Sequence, residues 1–425
     1  MNGAIRDGLD VRVYGIRVGG LQRDAHGTVR FTPDRTWLEG GQHPVLGLAM
    51  LTSPRVRAAT AGLPEWFENL LPEPDSALRR WLCRGLGLED RDSPGLLAAL
   101  GADLPGAVEV GGTLGTTEHL PDPDARGPEP QSSGSSQLSM LRFSLAGLQL
   151  KLSMHQAGDR FVLPARGDTG RWILKVPGPR FDELPEVEAA TMTWAGATGL
   201  TVPRFVVQPR DAIEGVDPAL LVGVERVFAI ERFDRSVDGR VHQEDLAQVL
   251  EIRPEHKYGD SGPRKIGYDG VARLVADACG AAAGVEFVDR LAFVVASGND
   301  DAHLKNWSLQ WGHEHRPWLS PCYDMVSTIA WPTELHGWTA PDGPTMALAL
   351  GRVRRFASLD RAALRRFAQR SGIADAEGRF IAALERSRDA WPSVVDSAVA
   401  RMRKALVDHW QRVPLLRELG GWPAA

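Results

Sequence analysis

Alternating hydrophobic and polar residues mark the first half of the chain as rich in β-strands. The runs 11–14 and 28–31 are short, contain β-branched and aromatic residues, and are separated by glycine-containing turns. The stretch 148–154 alternates apolar and polar residues strictly, which predicts a half-buried strand. A turn at 157–159 separates it from a return strand. The further strands predicted by the pattern are 160–163, 171–176 and 224–233.

Apolar residues at a spacing of three to four predict helices, and these dominate the second half of the chain. In the first half, this spacing occurs at 66–71, 76–86 and 186–198. After about residue 245, it predicts helices at 270–279, 285–296, 359–370, 376–390 and 392–410. A sheet-rich part followed by a helix-rich part favours the α+β class, with a ligand cleft between the two.

A low-complexity segment divides the chain. Residues 111–137 are rich in Gly, Pro, Ser, Thr and Asp, a composition that cannot bury enough surface to order itself. We therefore expect a small N-terminal α+β module at 1–110, a flexible linker at 111–140, a sheet-containing lobe at 141–235 and a helical lobe at 236–425.

Composition narrows the class of protein. The formal net charge of −5 over 425 residues argues against nucleic-acid binding through bulk charge. The first ten residues are polar, unlike a signal peptide, and no apolar run approaches the length of a membrane span. Three widely spaced cysteines without a C-x-x-C pair argue against a disulfide framework or a zinc site. We expect a soluble, cytoplasmic protein with reduced thiols.

The most informative motif is GNDDAHLKN at 298–306. It follows an apolar helix and precedes a predicted hairpin at 307–319, after which comes Asp324. Asn306 lies five residues after Asp301, which is the D-x-x-x-x-N spacing of a kinase catalytic loop. Asp301 is suited to orient or deprotonate an acceptor hydroxyl, and Asn306 and Asp324 are suited to hold Mg²⁺ on phosphates. Asn and Asp are also common as caps and turn residues, but the order of helix, loop, hairpin and second Asp favours the catalytic interpretation.

A kinase also needs a lysine and a phosphate loop upstream of this motif. Lys175 lies in the predicted strand WILKV and precedes a helix that offers Glu188 as an ion-pair partner. The alternative, a lysine that merely extends its ammonium group to solvent, is equally open for this residue alone. The segment SLAGLQLK at 144–151 is a small-residue turn entering a strand. Backbone amides beside Ala146 and Gly147 could approach phosphate oxygens, or the segment could be an ordinary β-turn.

Two further polar residues lie inside the predicted catalytic loop. His303 and Lys305 are both placed where they could contact phosphate or a carboxylate. For His303, a structural role in packing and hydrogen bonding is the preferred interpretation.

Taken together, these segments resemble the HipA family of bacterial toxin kinases. The residues that carry the resemblance to its N-terminal module are VY at 13–14, WFENLLP at 66–72 and LGADLPGAV at 100–108. SLAGLQLK at 144–151 resembles its S-x-A-G-x-Q-x-K segment, and ERFDR at 231–235 resembles its hinge. DAHLKN at 301–306 and YD at 323–324 resemble its catalytic and metal-binding motifs. The resemblance implies a two-lobed protein-kinase-like fold with an all-helical C-terminal lobe.

The resemblance also implies roles for individual residues. Asp301 would be the catalytic carboxylate, and Asn306 and Asp324 would bind Mg²⁺. Lys175 would contact the phosphates of ATP, with Lys151 assisting.

Adenine binding, regulation and partners are implied in the same way. Backbone groups of Glu231 and Phe233 would bind the adenine ring. Ser144 would be the autophosphorylation site whose modification expels the phosphate-binding loop and inactivates the kinase. The family's usual partner is a small DNA-binding antitoxin of the HipB type, through which DNA is met only indirectly. Its known type of target is an aminoacyl-tRNA synthetase, whose phosphorylation stops translation.

Two departures bear on target identity and loop control. Leu150 stands where many relatives carry an acidic residue, and the segment 111–137 is long.

Two other functions remain as alternatives. One is a small-molecule phosphotransferase with the same Asp…Asn…Asp pattern, and the other is a catalytically silent protein that docks an antitoxin–DNA complex. The presence of all four of Asp301, Asn306, Asp324 and Lys175 argues against the silent protein, because a scaffold has no physical need for them.

Overall fold

The computed structural model describes residues 8–39, 43–113, 149–164, 169–178, 181, 183–259, 265–312, 315–331 and 343–423. The chain divides into two compact units. The first comprises 1–174, 211–222 and 234–255, and the second comprises 175–210, 223–233 and 256–425. The predicted boundary between residues 235 and 236 lies close to the point where the chain passes from the second unit into the first. The predicted domain bounds stay a prediction.

The first unit begins with an antiparallel sheet in the order β4-β3-β2-β1-β5. Its strands are β1 (Gly8–Val13), β2 (Ile16–Arg23), β3 (Val29–Pro33), β4 (Arg57–Ala59) and β5 (Val108–Thr113). Alternate residues of β1 and β3, including Val11, Val13 and Phe31, are buried, so one face of the sheet forms a core. The helices of this part are α1 (Arg35–Glu39), α2 (Leu48–Thr52), α3 (Glu65–Glu68), α4 (Ala77–Leu86) and α5 (Ser93–Leu100).

Local capping explains the bounds of the longer helices in this part. The Ser76 hydroxyl accepts from the Arg79 N–H at 3.1 Å and begins α4, and Gly87, with φ +68°, ends it. Asp92 caps α5 by accepting from the Gly95 N–H at 3.1 Å.

Two later segments complete the first unit. Strands β6 (Leu150–Ala157), β7 (Arg160–Val162) and β10 (Ile213–Glu214) pair in the order β10-β7-β6. The segment 234–255 contains β12 (Arg235–Ser236), β13 (Gly239–Arg240), β14 (His242–Asp245) and α7 (Leu246–Val249). The carboxylate of Glu244 accepts from the Leu48 N–H at 2.7 Å and from the Trp66 indole N–H at 3.1 Å. Arg235 donates to Asp103 at 2.8 Å. These bonds join the segment to the N-terminal sheet and helices.

The second unit is mainly helical. Strand β8 (Trp172–Val176) leads into it. Its other elements are α6 (Leu184–Ala197), β9 (Phe205–Pro209), β11 (Arg226–Glu231), α8 (Tyr268–Cys279), α9 (Ala281–Ser297), β15 (Ser308–Trp311), β16 (Trp318–Leu319), β17 (Thr345–Leu350), β18 (Val353–Arg355), α10 (Arg361–Ser371), α11 (Ala376–Ala390), α12 (Ala400–Arg412) and α13 (Pro414–Leu419). The pairs β9–β11, β15–β16 and β17–β18 are antiparallel.

Helix α9 is the centre of the second unit. It packs against α8 and α11. Its residues 291–297 are all buried, which explains why this part of the helix is apolar on nearly every side. Trp194 of α6 meets Phe293 of α9 edge-on, with ring centroids 5.0 Å apart, and Trp391 at 4.9 Å. These aromatic contacts fix the end of α9 that carries the 298–306 loop.

The α+β class predicted from the sequence is confirmed, and most predicted elements are present within a few residues. The predicted helix at 66–71 is shorter, with one turn at Glu65–Glu68. The prediction of a continuous helix at 392–410 is wrong. That stretch contains short 3-10 helices at Trp391–Ser393 and Val395–Ser397, and the α-helix begins only at Ala400. The hydroxyls of Ser393 and Ser397 donate to carbonyls three residues back, which competes with the α-helical pattern.

The C-terminal part, predicted to be all-helical, also contains the short hairpins β15–β16 and β17–β18. Within the described part of the chain, no helix is both long and apolar enough to cross a bilayer.

Candidate active site

The loop that carries the predicted catalytic carboxylate begins where α9 ends. Gly298 ends the helix with φ +62°, and a Cβ there would lie 2.4 Å from the Cδ1 atom of Ile329. Only glycine fits this turn without displacing its neighbour. The chain then folds back, and the Asp301 N–H donates to the Asn299 Oδ1 at 3.1 Å. The small residue at 298 therefore directs Asp301 away from the helix axis.

Asp301 is held from both sides. Its Oδ1 accepts a hydrogen bond from the Tyr258 hydroxyl at 2.8 Å, and the His303 Nε2 lies 4.0 Å from the same oxygen. The Asn306 Nδ2 donates to the Asp301 backbone carbonyl at 2.8 Å, which closes the loop. The Asp301 side chain is still 37% exposed, so a substrate can reach it. The D-x-x-x-x-N spacing thus corresponds to a loop whose two ends are hydrogen-bonded and whose carboxylate is partly exposed, rather than to a helix cap.

Asn306 offers an oxygen for a ligand. Because its Nδ2 donates to Asp301, its Oδ1 points elsewhere, and no described residue donates to that oxygen. An amide oxygen and a carboxylate are the donors that Mg²⁺ prefers.

Lys175 lies between two carboxylates. Its ammonium group is ion-paired with Glu188 and with Asp324, and it lies 5.3 Å from the centroid of the Phe228 ring. Only 3% of Lys175 is exposed, and Glu188 is fully buried. Burial alone would lower the pKa of Lys175, but Asp324 and Glu188 outweigh it and raise that pKa to about 12. The ion pair with Glu188 suggested by the sequence is confirmed, and the lysine is fully charged at neutral pH.

Asp324 has a strained backbone. Its φ is +53°, a conformation that costs a non-glycine residue on the order of 1–3 kcal/mol. Its carbonyl accepts from the Asn299 Nδ2 at 3.4 Å, and the preceding Tyr323 hydroxyl donates to the Lys305 carbonyl at 2.9 Å. These bonds join the 299–306 loop to the Tyr323–Asp324 segment. The site therefore includes Asp301, Asn306, Asp324 and Lys175 in one compact unit.

His303 is buried and neutral in this arrangement. Burial, followed by the nearby Lys257 and Lys305 ammonium groups, holds the pKa of His303 well below its usual value. Among the described residues, none bonds to its Nδ1. Lys305 is also buried, and its backbone carbonyl is used by Tyr323.

The predicted hinge residues Glu231 and Phe233 differ in which of their backbone groups are hydrogen-bonded. The Glu231 N–H donates to the Arg204 carbonyl at 2.8 Å. The Phe233 carbonyl accepts from the Gln310 Nε2 at 3.0 Å, and no described residue accepts from the Phe233 N–H. The Phe233 ring lies 5.2 Å from the ring of Tyr323. Phe233 is therefore adjacent to the segment that carries Asp324.

For four of the predicted residues, a role at this site stays a prediction. Lys151 is buried in β6, which belongs to the first unit. Ser144, Ala146 and Gly147 lie outside the described residues.

Sequence reasoning missed Tyr258. It lies 43 positions before Asp301, in a stretch without strong periodicity, and only the fold brings its hydroxyl to the carboxylate. The one available signal was the rarity of tyrosine, with four in the whole chain.

Some metals prefer several charged or imidazole ligands from the protein. Within the described ranges, no group of three or more His, Cys, Asp or Glu side chains is placed to hold a metal ion. The oxygens of Asn306 and Asp324 instead match a metal that takes its remaining ligands from phosphate and water, which is the habit of Mg²⁺.

Comparisons with known proteins identify the family of the chain. A model of the HipA N-terminal domain matches residues 9–111, and a model of the HipA-like C-terminal domain matches residues 143–410. The putative kinase Y4dM of Sinorhizobium fredii is 34% identical over 425 residues, which cover 96% of this chain and 98% of the relative. The putative kinase Y4mE of the same organism is 30% identical and covers 86% of each chain.

A solved structure shows a similar fold. A chain of the complex of the Shewanella oneidensis toxin–antitoxin system HipA, HipB and its operator DNA superimposes with a TM-score of 0.69. The match covers 98% of this chain and 100% of that one, at 20% sequence identity.

Proposed function

Because this chain belongs to the HipA family, whose two domain models it matches, we propose that it is an ATP-dependent serine/threonine protein kinase acting as a toxin. The observation that carries the proposal is the arrangement around Asp301. A partly exposed carboxylate, held by Tyr258, shares a compact unit with the Lys175–Glu188 pair and with the oxygen donors Asn306 and Asp324.

Each of these residues has a task in phosphoryl transfer. Asp301 accepts the proton of a serine or threonine hydroxyl on the substrate. The hydroxyl oxygen then bonds to the γ-phosphorus of ATP while the bond to the bridging oxygen breaks, and ADP leaves. Lys175, charged and fixed by Glu188, binds the phosphates. Asn306 and Asp324 would hold Mg²⁺, which when bound neutralises charge on the phosphates. Asp324 has to leave its ion pair with Lys175 for both residues to take these roles.

The adenine ring would be recognised by backbone groups of the hinge. The Glu231 carbonyl and the Phe233 N–H are two residues apart and supply one acceptor and one donor. The amino group of adenine would donate to the carbonyl, and the neighbouring ring nitrogen would accept from the N–H.

The phosphate loop belongs to the proposal as well. Backbone amides at Ala146 and Gly147 would approach the phosphates, with Lys151 assisting. Lys305 would contribute its charge near the phosphates, and His303 would shape the loop beside them. Phosphorylation of Ser144 would add close to two negative charges next to ATP and displace the loop, so the kinase would switch itself off.

The partners follow from the family. The Shewanella oneidensis structure contains HipA, HipB and operator DNA, and we propose a HipB-like DNA-binding antitoxin for this chain too. The protein substrate would be a translation component such as an aminoacyl-tRNA synthetase, phosphorylated in the cytoplasm.

One experiment tests the proposal. The purified protein is incubated with γ-labelled ATP and Mg²⁺, and its intact mass is measured before peptide mapping. We expect one added phosphate on Ser144, and a loss of labelling by roughly a hundredfold or more in Asp301→Asn, which lacks the proton acceptor.

Circular dichroism of Asp301→Asn serves as the control, and we expect an unchanged fold. A protein that binds ATP but transfers no phosphate to itself or to any protein would be the silent binding protein instead. Phosphate found only away from Ser144 would remove the self-inactivation and leave the kinase.

A further inference from the structure

A cavity of about 370 Å³ lies within the second unit, next to the candidate active site. Its volume is at the lower end of the range for ligand pockets, enough for one or two side chains of a peptide. Among the described residues, four cationic side chains and one carboxylate line the cavity, so this lining is basic. These are Lys265, Arg352, Arg354, Arg370 and Asp269.

The walls of the cavity are built by close backbone contacts. Gly259 has φ +67°, and a Cβ there would lie 2.7 Å from the Ile266 carbonyl oxygen. The Ile266 N–H donates to the Gly259 carbonyl at 3.0 Å, and Gly267 forms a parallel bridge with Ala349. Glycine at 259 is required by both its conformation and its surroundings.

The single carboxylate is already neutralised. Asp269 is buried and ion-paired with Arg370. Arg354 donates to the carbonyls of Met346, at 3.2 Å, and Ala347, so its guanidinium group is fixed in place. Lys265 and Arg352 are exposed, and no carboxylate in the described part of the chain pairs with either. The described lining of the cavity therefore presents excess positive charge to solvent.

Arg352 occupies a position that is unfavourable for arginine. It follows Gly351 in the two-residue turn between β17 and β18, and their φ values are +54° for Gly351 and +74° for Arg352. Such turns favour Asn or Gly at both positions, since other side chains are strained there. A strained residue that also lines a charged cavity points to a functional role for its side chain.

Tyr258 connects the cavity to the candidate catalytic carboxylate. It lines the cavity, and its hydroxyl donates to the Asp301 Oδ1 at 2.8 Å. A substrate whose hydroxyl is oriented by Asp301 would therefore place neighbouring residues close to Lys265 and Arg352.

We propose that this cavity binds acidic side chains next to the acceptor serine or threonine of a protein substrate. The inference rests on the proposed kinase function and adds to it the class of sequence that the kinase selects. Long-range attraction between the excess cations and a carboxylate favours such peptides over neutral ones.

The test measures peptide binding, which does not require phosphoryl transfer. Two fluorescent peptides have a central serine, flanked by glutamate in one and by glutamine in the other. Their affinities for the full chain are compared by anisotropy at low salt. We expect the glutamate peptide to bind about tenfold more tightly, since a few partly exposed ion pairs contribute modestly.

The variant for this test combines Lys265→Gln with Arg352→Gly. Glycine adopts the positive φ of residue 352 without strain, so the turn is kept while the charge is removed. We expect the preference for glutamate to fall to about twofold or less. The matched control combines Arg403→Gln with Lys404→Gln, which removes two exposed charges from α12. It should keep the full preference.

Three outcomes would overturn the inference. They are equal binding of both peptides by the parent, an undiminished preference in the Lys265/Arg352 variant, and tighter binding of a single-stranded RNA oligonucleotide that the same variant abolishes. If the peptides bind as expected but no phosphate is transferred in the presence of Mg²⁺ and ATP, the kinase proposal fails, while the proposal that the basic cavity binds acidic side chains stands.

Discussion

Replacing Tyr258 with phenylalanine tests how much the hydrogen bond to Asp301 contributes to catalysis. The change removes one hydroxyl and leaves the ring, which meets the ring of His303 edge-on at 5.4 Å between centroids. The donation of the hydroxyl to the Asp301 Oδ1 at 2.8 Å is lost. Asp301 then keeps its backbone position but can rotate, so its oxygen spends less time where the acceptor hydroxyl must lie.

The structure sets the size of the expected effect. A hydrogen bond to a charged group stabilises by about 1.5–3 kcal/mol when both groups are buried. The Asp301 side chain is 37% exposed, and solvent screening reduces this to about 1–1.5 kcal/mol. Because about 1.4 kcal/mol corresponds to a tenfold change in rate, we expect kcat to fall roughly tenfold.

The assay follows the rate of peptide phosphorylation as a function of ATP concentration. The hydroxyl of Tyr258 donates to Asp301 and not to the phosphate-binding residue Lys175, so kcat should fall while the KM for ATP stays within about twofold of the parent. Tyr14→Phe is the control, because its hydroxyl accepts from the His242 N–H at 2.8 Å within the first unit. That variant should keep the kcat of the parent.

A double-mutant cycle decides whether Tyr258 acts through Asp301. In the Asp301→Asn background, Tyr258→Phe should have no further effect on the residual rate, since the oxygen that it positions is no longer a base. An additive loss in the double variant, or a kcat for Tyr258→Phe equal to that of the parent, would refute the reasoning.

Two further predictions concern the metal and the pH dependence of folding. Asp324→Ala should weaken the Mg²⁺-dependent binding of ATP by about tenfold or more, as measured by calorimetry with and without Mg²⁺, and equal affinities in both conditions would contradict the metal assignment. Burial lowers the pKa of His409 to about 4, although its Nε2 donates to the Val295 carbonyl. The unfolded chain therefore takes up the proton first, and stability is lost as the pH falls from about 6.5 towards 4. When the pH is lowered from 7 to 5, the free energy of unfolding measured in urea should fall by about 2 kcal/mol less in His409→Gln than in the parent. An equal fall in both proteins would show that other groups cause the loss of stability.

The parts of the site that depend on local spacing could be predicted from the sequence. Asp301 and Asn306 lie in one short loop, and only a few residues separate the strand of Lys175 from the helix of Glu188. For such segments, the hydrophobic periodicity and the order of the elements along the chain are enough to place the side chains near one another. The same holds for helices with regular apolar spacing, such as α11, whose bounds 376–390 match the prediction.

Predictions failed where local polar groups or glycines interrupt a pattern. Strand β2 contains the pair Gly19–Gly20, which weakens any alternation, yet it is held between β1 and β3. The Cβ of any other residue at position 19 would lie 2.6 Å from the ring of Phe31. Packing against that ring, rather than strand propensity, explains the glycine.

The cavity beside Asp301 could not be predicted by any local rule. Its cations come from three separate segments, at 265, at 352–354 and at 370, and they meet because α8 packs against α10 and both lie near the β17–β18 hairpin. The residues that would transfer phosphate are concentrated in short motifs, whereas the residues that would select the substrate are spread along the chain. It follows that Lys265 and Arg352 can be exchanged without altering the loop around Asp301. Under the two proposals, substrate preference would therefore be physically separable from phosphoryl transfer, and Tyr258 would take part in both.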